Sequence, residues 1–211
     1  MKNIKYIIFD FDGTLADTLK FAIMISNRLS DRFNYKKITD DKLDDYRGMS
    51  AQELIKKSGI KYYKIPFVAT QFKIEFKKVI DQLQAFPEIP TMLEELSKSF
   101  KIGILTSNAA ENVNLFLKSN KLSDYITFVN SQSRLYGKHI SLRKIMSKYN
   151  LQKDNIVYVG DETRDIEATK KIGIKSISVT WGFNTKKILK LFSPDFMVDS
   201  PKEIIELVKN I

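Results

Sequence analysis

Four short apolar runs, each the length of a buried strand, are spaced widely along this chain: Ile4–Phe9, Ile102–Leu105, Ile156–Val159 and Ile174–Val179. Helical patterns lie between or beside them, over Glu94–Lys98, Ala109–Ser119, Ser141–Tyr149, Arg164–Ile172 and Lys202–Lys209. Strands that alternate with helices form a parallel sheet, because each parallel connection must cross over the sheet and leaves a helix on its face. A strand covered on both faces has no polar side, hence the continuous apolar runs. The expected fold is α/β, a doubly wound parallel sheet. Gly173 stands where a glycine would end the helix before the last run.

Residues 17–84 read differently. Leu19, Ala22, Ile25, Leu29 and Phe33 recur at helical spacing. Ser50-Ala51-Gln52-Glu53 has the form of a capping box and opens a short helix that stops at Gly59. Phe67–Leu83 is expected to be one long amphipathic helix, with Val68, Phe72, Phe76, Val79 and Leu83 on one face. No strand pattern occurs here. The expectation is an all-helical insert at 17–84 within a core made of 1–16 and 85–211, hinged at about residues 14–18 and 82–87 where Pro87 punctuates the return.

Composition removes several kinds of chemistry. There is no cysteine and one histidine, His139. Disulfides, thiolate zinc sites, cysteine nucleophiles and multi-histidine metal sites are excluded, and a Ser-His-Asp triad would need that one residue. A metal would have to be held by oxygens, which points to magnesium or a similar hard ion. No apolar run approaches the length of a membrane-spanning helix, and Met1-Lys2-Asn3-Ile4-Lys5 leads into too few apolar residues for a signal peptide. A soluble cytoplasmic protein is expected. The net charge of +10 fits either a nucleic-acid surface or a lysine-rich solvated exterior that also attracts small anions. The lysines are spread along the whole chain without a basic arm, which favours the second reading, with no nucleic-acid partner.

The strand ends carry the chemistry. Asp10-Phe11-Asp12-Gly13-Thr14 places two carboxylates two residues apart after the first run. On an extended chain they point to the same side and need a cation or a proton between them, although Asp and Gly also suit a plain loop. The second run ends in Thr106-Ser107-Asn108, which suits an anion at a helix N-terminus or simply a helix cap. Gly137-Lys138 precedes another helix, and one lysine among many says little. Gly160-Asp161-Glu162-Thr163-Arg164-Asp165 follows the third run, with Asp165 on the same helical face as Asp161 or serving only the helix dipole. A parallel sheet would gather these ends into one crevice.

Together these segments resemble the haloacid dehalogenase superfamily, in its phosphoglycolate-phosphatase-like branch. Asp10-x-Asp12-Gly13-Thr14, Thr106, Lys138 and Gly160-Asp161-x-x-x-Asp165 match its four motifs in order, and the insert at 17–84 sits where this branch carries a small helical cap. The resemblance covers essentially the whole chain. It implies a Mg²⁺-dependent phosphatase acting on a small phosphate monoester, phosphoglycolate-like or a sugar phosphate, through an aspartyl-phosphate. Asp10 would be the nucleophile and Asp12 the general acid and base. The metal would be held by Asp10, the Asp12 backbone carbonyl and Asp161, with Asp165 orienting a metal-bound water or Lys138. Thr106, the Ser107 amide and Lys138 would bind the phosphoryl group, with Asn108 as a further contact. Lys138 is followed by His139 where the family commonly has proline. His139 reads as a loop or surface residue.

Asp12 disfavours carbon–halogen and carbon–phosphorus cleavage, because the members that do this chemistry lack that aspartate. A phosphomutase of the β-phosphoglucomutase kind is the alternative, although such members tend to have Glu-Asp where this chain has Gly160-Asp161. A non-catalytic scaffold or nucleic-acid binder of the same fold is the further alternative. In the cap, Arg47 before the short helix is expected either to meet a substrate carboxylate or second phosphate, or to be an exposed loop arginine. Trp181-Gly182-Phe183 follows a strand and receives no role.

Overall fold

The structure is a computed structural model that describes residues 4–131 and 137–211. Residues 1–3, with which the signal-peptide reading begins, lie outside it. In chain order the elements are β1 (Tyr6–Phe9), α1 (Leu19–Phe33), α2 (Leu43–Arg47), α3 (Ala51–Ser58), α4 (Ile65–Lys77), α5 (Ile89–Ser97), β2 (Lys101–Thr106), α6 (Ala110–Ser119), β3 (Phe128–Ser131), α7 (Lys138–Lys148), β4 (Ile156–Gly160), α8 (Thr163–Ile172), β5 (Lys175–Val179), α9 (Lys186–Leu191), β6 (Phe196–Val198) and α10 (Pro201–Val208). Among the described residues every pairing between these strands is parallel, and the strand order is β3-β2-β1-β4-β5-β6.

Alternation along the strands feeds two apolar layers. Ile7, Phe9, Ile102, Ile104, Val157 and Val159 pack with α5, α6 and α10 on one face. Ile8, Leu105, Ile156 and Tyr158 pack with α7 and α8 on the other. The first layer runs on into the insert through Ile25, Leu29 and Phe76. The sheet order reverses between β1 and β4, which opens a crevice at the carboxyl ends of these strands. Among the described residues, no helix is long and apolar enough to cross a membrane.

The two connections to the insert pair with each other. Ala16 and Ala85 form an antiparallel bridge, Asp17 N donates to Gln84 O (3.0 Å) and Phe86 N donates to Leu15 O (3.1 Å). The Ser50 capping box is present: Ser50 N donates to Glu53 Oε2 (2.8 Å) and Glu53 N to Ser50 Oγ (3.4 Å).

Several expectations need correction. The helix expected over Phe67–Leu83 starts at Ile65 and stops at Lys77, and Ile80–Gln82 forms a separate 3₁₀ turn. Ile80 and Leu83 are buried as the chain turns back toward the core, so apolar spacing continued after the helix had ended. The helix read at Glu94–Lys98 begins at Ile89, with Pro90 in its first turn. β3 and β6 were missed because both are short, partly exposed edge strands without a buried run. Arg47 ends α2 instead of lying in a loop.

Candidate active site

Register brings the motif residues together. Phe9 is level with Ile104 and Val159, so Asp10, Thr106 and Asp161 emerge at the same edge of the sheet. Phe11, between the two aspartates, is fully buried and meets Phe116 edge to face at 4.9 Å. That anchor holds the Asp-x-Asp segment by its middle residue and leaves both carboxylates for the crevice. Gly13 has φ 76°, and a side chain there would collide with the Asp161 carboxylate and the Phe183 ring.

Asp10, Asp161 and Asp165 are all buried, and each offers an oxygen within 4.8 Å of the others. Lys138, the first residue of α7 and only 6% exposed, donates to Asp10 Oδ2 (2.6 Å) and Asp165 Oδ1 (2.5 Å). Its Nζ also lies 5.2 Å from the Tyr158 ring centroid. Burial works against the charge on Lys138, but the charges of Asp10 and Asp165 outweigh it and hold its pKa above the ordinary value. The second Asp165 oxygen accepts from Glu162 N (3.2 Å) at the start of α8. Asp161 has a donor on each oxygen, Thr14 Oγ1 on Oδ1 (2.7 Å) and Phe183 N on Oδ2 (2.6 Å).

At the end of β2, Thr106 is fully buried and its Oγ1 accepts from Asn108 N (2.9 Å). Asn108 Nδ2 faces the Asp12 carboxylate at 3.4 and 3.5 Å. His139, next to Lys138, is partly exposed. Arg47 directs its guanidinium to the carbonyls of Gly182 (2.9 Å) and Phe183 (3.3 Å), with Asp44 at 3.6 Å. Asp12 does not contribute its carboxylate to the three-aspartate group.

Sequence reasoning passed over Thr14 as a partner of Asp161, the Phe183 amide and Arg164. The Arg164 guanidinium pairs with Glu162 beside the cluster, and its charge acts on Asp12 and Asp165. The signal for Arg164 was its place inside the Gly160–Asp165 segment. A backbone amide such as that of Phe183 has no signal in residue identity.

The cluster is electrostatically unfinished. Burial, then the charge of Asp10, pushes the Asp12 carboxyl up to about 7. Burial raises Asp165 to about 6 against the pull of Lys138. Asp161 is raised by burial first, then by Glu162 and Asp10. Buried carboxylates with this deficit fit a hard cation with oxygen ligands. In chelator these groups hold protons that the unfolded chain, with carboxyls near 4, has already released. Folding stability therefore falls as pH rises from about 4 through about 7, by up to about 1.4 kcal/mol per unit for each group. The melting temperature of the metal-free protein is expected to be roughly 10 °C lower at pH 8 than at pH 5. A scan in EDTA that shows a flat or rising trend contradicts this account of the cluster.

Comparison with known proteins agrees with the geometry. The sequence model described as haloacid dehalogenase-like hydrolase matches residues 7–179. A phosphoglycolate phosphatase of Synechococcus elongatus is 30% identical over 206 residues, covering 97% of each chain. One from Aquifex aeolicus is 26% identical, covering 98% of each. The crystal structure of a predicted phosphatase from Clostridium acetobutylicum shares the fold, with a TM-score of 0.86 at 21% identity over 99% of this chain and 100% of that one. With the three aspartates and the lysine gathered at the switch point of the sheet, the chain belongs to the haloacid dehalogenase-like hydrolase family, in its phosphoglycolate-phosphatase-like branch.

Proposed function

We propose that the chain, a phosphatase by its family, hydrolyses a small phosphate monoester, phosphoglycolate-like or a sugar phosphate, with Mg²⁺ and through an aspartyl-phosphate on Asp10. The observation that carries this reading is the unequal state of the two aspartates after β1. Asp10 is ion-paired to Lys138 at 2.6 Å. Asp12 has no ion pair among the described residues and a carboxyl pushed up to about 7. One is paired with a cation and placed to attack, and the other keeps a proton near neutral pH and can release it. Environments that separate neighbouring carboxyls in this way assign nucleophile and acid.

In the first step an Asp10 carboxylate oxygen bonds to phosphorus while the ester P–O bond breaks, and Asp12 gives its proton to the departing oxygen. In the second, Asp12 takes a proton from a water that attacks the same phosphorus, the bond to Asp10 breaks and inorganic phosphate leaves. Thr106 and the Ser107 amide hold phosphoryl oxygens, with Asn108 between them and Asp12. Lys138 offsets the repulsion between nucleophile and phosphate. Mg²⁺ would be held by Asp10, Asp161 and the Asp12 carbonyl, with Asp165 behind Lys138, and when bound it supplies positive charge where the two anions meet. Residues 17–84 act as a cap on the core of 1–16 and 85–211. They turn on the paired linkers to admit substrate and then exclude bulk water.

The test is phosphate release from a panel of monoesters, phosphoglycolate and sugar phosphates among them, with Mg²⁺ or EDTA. At least one ester is expected to turn over with Mg²⁺ and none in EDTA. Isomerisation of a sugar phosphate without release would replace this reading with a phosphomutase. A folded, Mg²⁺-binding protein that turns over nothing would overturn it.

A further inference from the structure

The segment after β5 connects two regions that the motif positions leave apart. On the core side, Phe183 N donates to Asp161 Oδ2 (2.6 Å) and Asn184 N to Asp161 O (3.4 Å). On the insert side, Arg47 donates from Nη2 to Gly182 O (2.9 Å) and from Nε to Phe183 O (3.3 Å), while Thr185 N donates to Arg47 O (3.1 Å). Asn184 stands between the two. It is 5% exposed, and its amide makes three hydrogen bonds: Oδ1 accepts from Thr163 N (2.9 Å) at the start of α8, and Nδ2 donates to Arg47 O (3.0 Å) and Met49 O (3.1 Å). A buried amide with its acceptor on the core and both donors on the insert is a specific bridge, since no apolar or acidic side chain of that size makes all three bonds.

These contacts are separate from the paired linkers at 15–17 and 84–86. The insert is therefore attached here as well as at the hinge and along the apolar layer that runs through Ile25, Leu29 and Phe76. Turning about the hinge must break the bonds between Arg47, Met49 and residues 182–185. The same residues hold the Asp161 carboxylate, and Gly182 packs so closely on Asp161 that a side chain there would collide with it. Arg47, residues 182–183 and Asp161 thus form one chain of direct contacts from the insert to the carboxylate.

We propose that Asn184 is a positioning residue and that the Arg47–Asn184 contact is a latch, which couples closure of the insert to the orientation of Asp161. The proposal rests on the phosphatase reading for its consequence in turnover but not for its mechanical part. Closed, the latch fixes Asp161 between Thr14 and the Phe183 amide. Open, it frees the Arg47 and Met49 carbonyls to water and leaves the 182–185 segment supported only from the core.

Two measurements on the full chain test it. The first is amide hydrogen exchange of the metal-free protein, comparing wild type with Arg47→Ala and Asn184→Asp. Asn184→Asp keeps the size and the acceptor to Thr163 but removes both donors to the insert. Exchange at the Phe183 amide is expected to speed up about tenfold in both variants, although Arg47 belongs to the insert and Phe183 to the core. A response confined to residues of the insert overturns the latch. The second is steady-state turnover of p-nitrophenyl phosphate against Mg²⁺ concentration. Both variants are expected to need several-fold more Mg²⁺ for half-maximal rate and to show a raised KM, and the double variant to be no worse than the worse single one. Multiplying effects, or a lower melting temperature with unchanged KM and Mg²⁺ requirement, would reduce Asn184 to a packing role and overturn the proposal. Failure of the phosphatase reading would appear instead as a wild type that turns over no ester while the exchange result stands.

Discussion

Asp10→Asn folds, and it releases no phosphate from any ester that the wild type hydrolyses. The expected loss is at least about 10⁴-fold, because the amide cannot form the covalent intermediate through which both proposed steps pass. The variant is nearly isosteric. Its side-chain oxygen can still accept from Phe11 N, as Asp10 Oδ1 does at 2.7 Å, and Lys138 keeps its bond to Asp165. One buried negative charge is removed together with one ion pair, so the two effects on stability oppose each other and the melting temperature should stay within a few degrees. Phosphate release and a thermal melt on the same preparation check this. Residual turnover above about 1% in a protein free of wild type would assign the covalent step elsewhere.

Lys138→Met is the second large effect, and it strikes stability as well as rate. The side chain has about the right length to lie beside Tyr158 as Lys138 does, but it strands Asp10 and Asp165, which are 3% and 2% exposed. Removing one partner of a buried ion pair costs about 3–5 kcal/mol, since the charge left behind has lost both its partner and water. In a chain of this size that is a fall of about 10 °C in melting temperature. The penalty should be larger at pH 8 than at pH 5. Asp165 is held at about 6 even with Lys138 beside it, so without the lysine its carboxyl can take a proton in acid and relieve the repulsion. The rate should fall at least about 10³-fold at any pH, because the cation that offsets repulsion between Asp10 and the phosphoryl group is gone. Adding Asp165→Asn should restore part of the stability and none of the rate. A double variant that recovered turnover would show that Lys138 serves only to neutralise Asp165.

Much of this site could be read along the chain because its parts are local. Asp10 and Asp12 are two residues apart with Phe11 between them, and Phe11 is buried as the alternation of an extended segment requires. Thr106 and Asp161 each follow an apolar run, and the parallel register delivers them to one edge. The Ser50 capping box is a four-residue pattern that forms as written. Elements failed to show where locality failed. β3 and β6 exist because neighbouring strands offer them a ladder, and their own residues are too short and too exposed to announce it. α4 ended before its apolar spacing did, because Ile80 and Leu83 found burial along a path that is not α-helical.

The sequence by itself determined the alternation of strand and helix, the helical insert, the absence of thiol and multi-histidine chemistry, and the carboxylates and hydroxyl at the strand ends. These follow from periodicity, residue type and spacing, which act over a few residues. Only the tertiary structure decided that Lys138 lies between Asp10 and Asp165, that Thr14 and the Phe183 amide hold Asp161, and that Arg47 reaches the carbonyls of Gly182 and Phe183. Those contacts join residues as far as 147 positions apart, and half of them use backbone groups, which every residue type carries alike. Their strength comes from pairing charged and polar groups in one shared place of low polarity, where each pairing counts for more and each unpaired group costs more, and that place exists only once the sheet has formed around it.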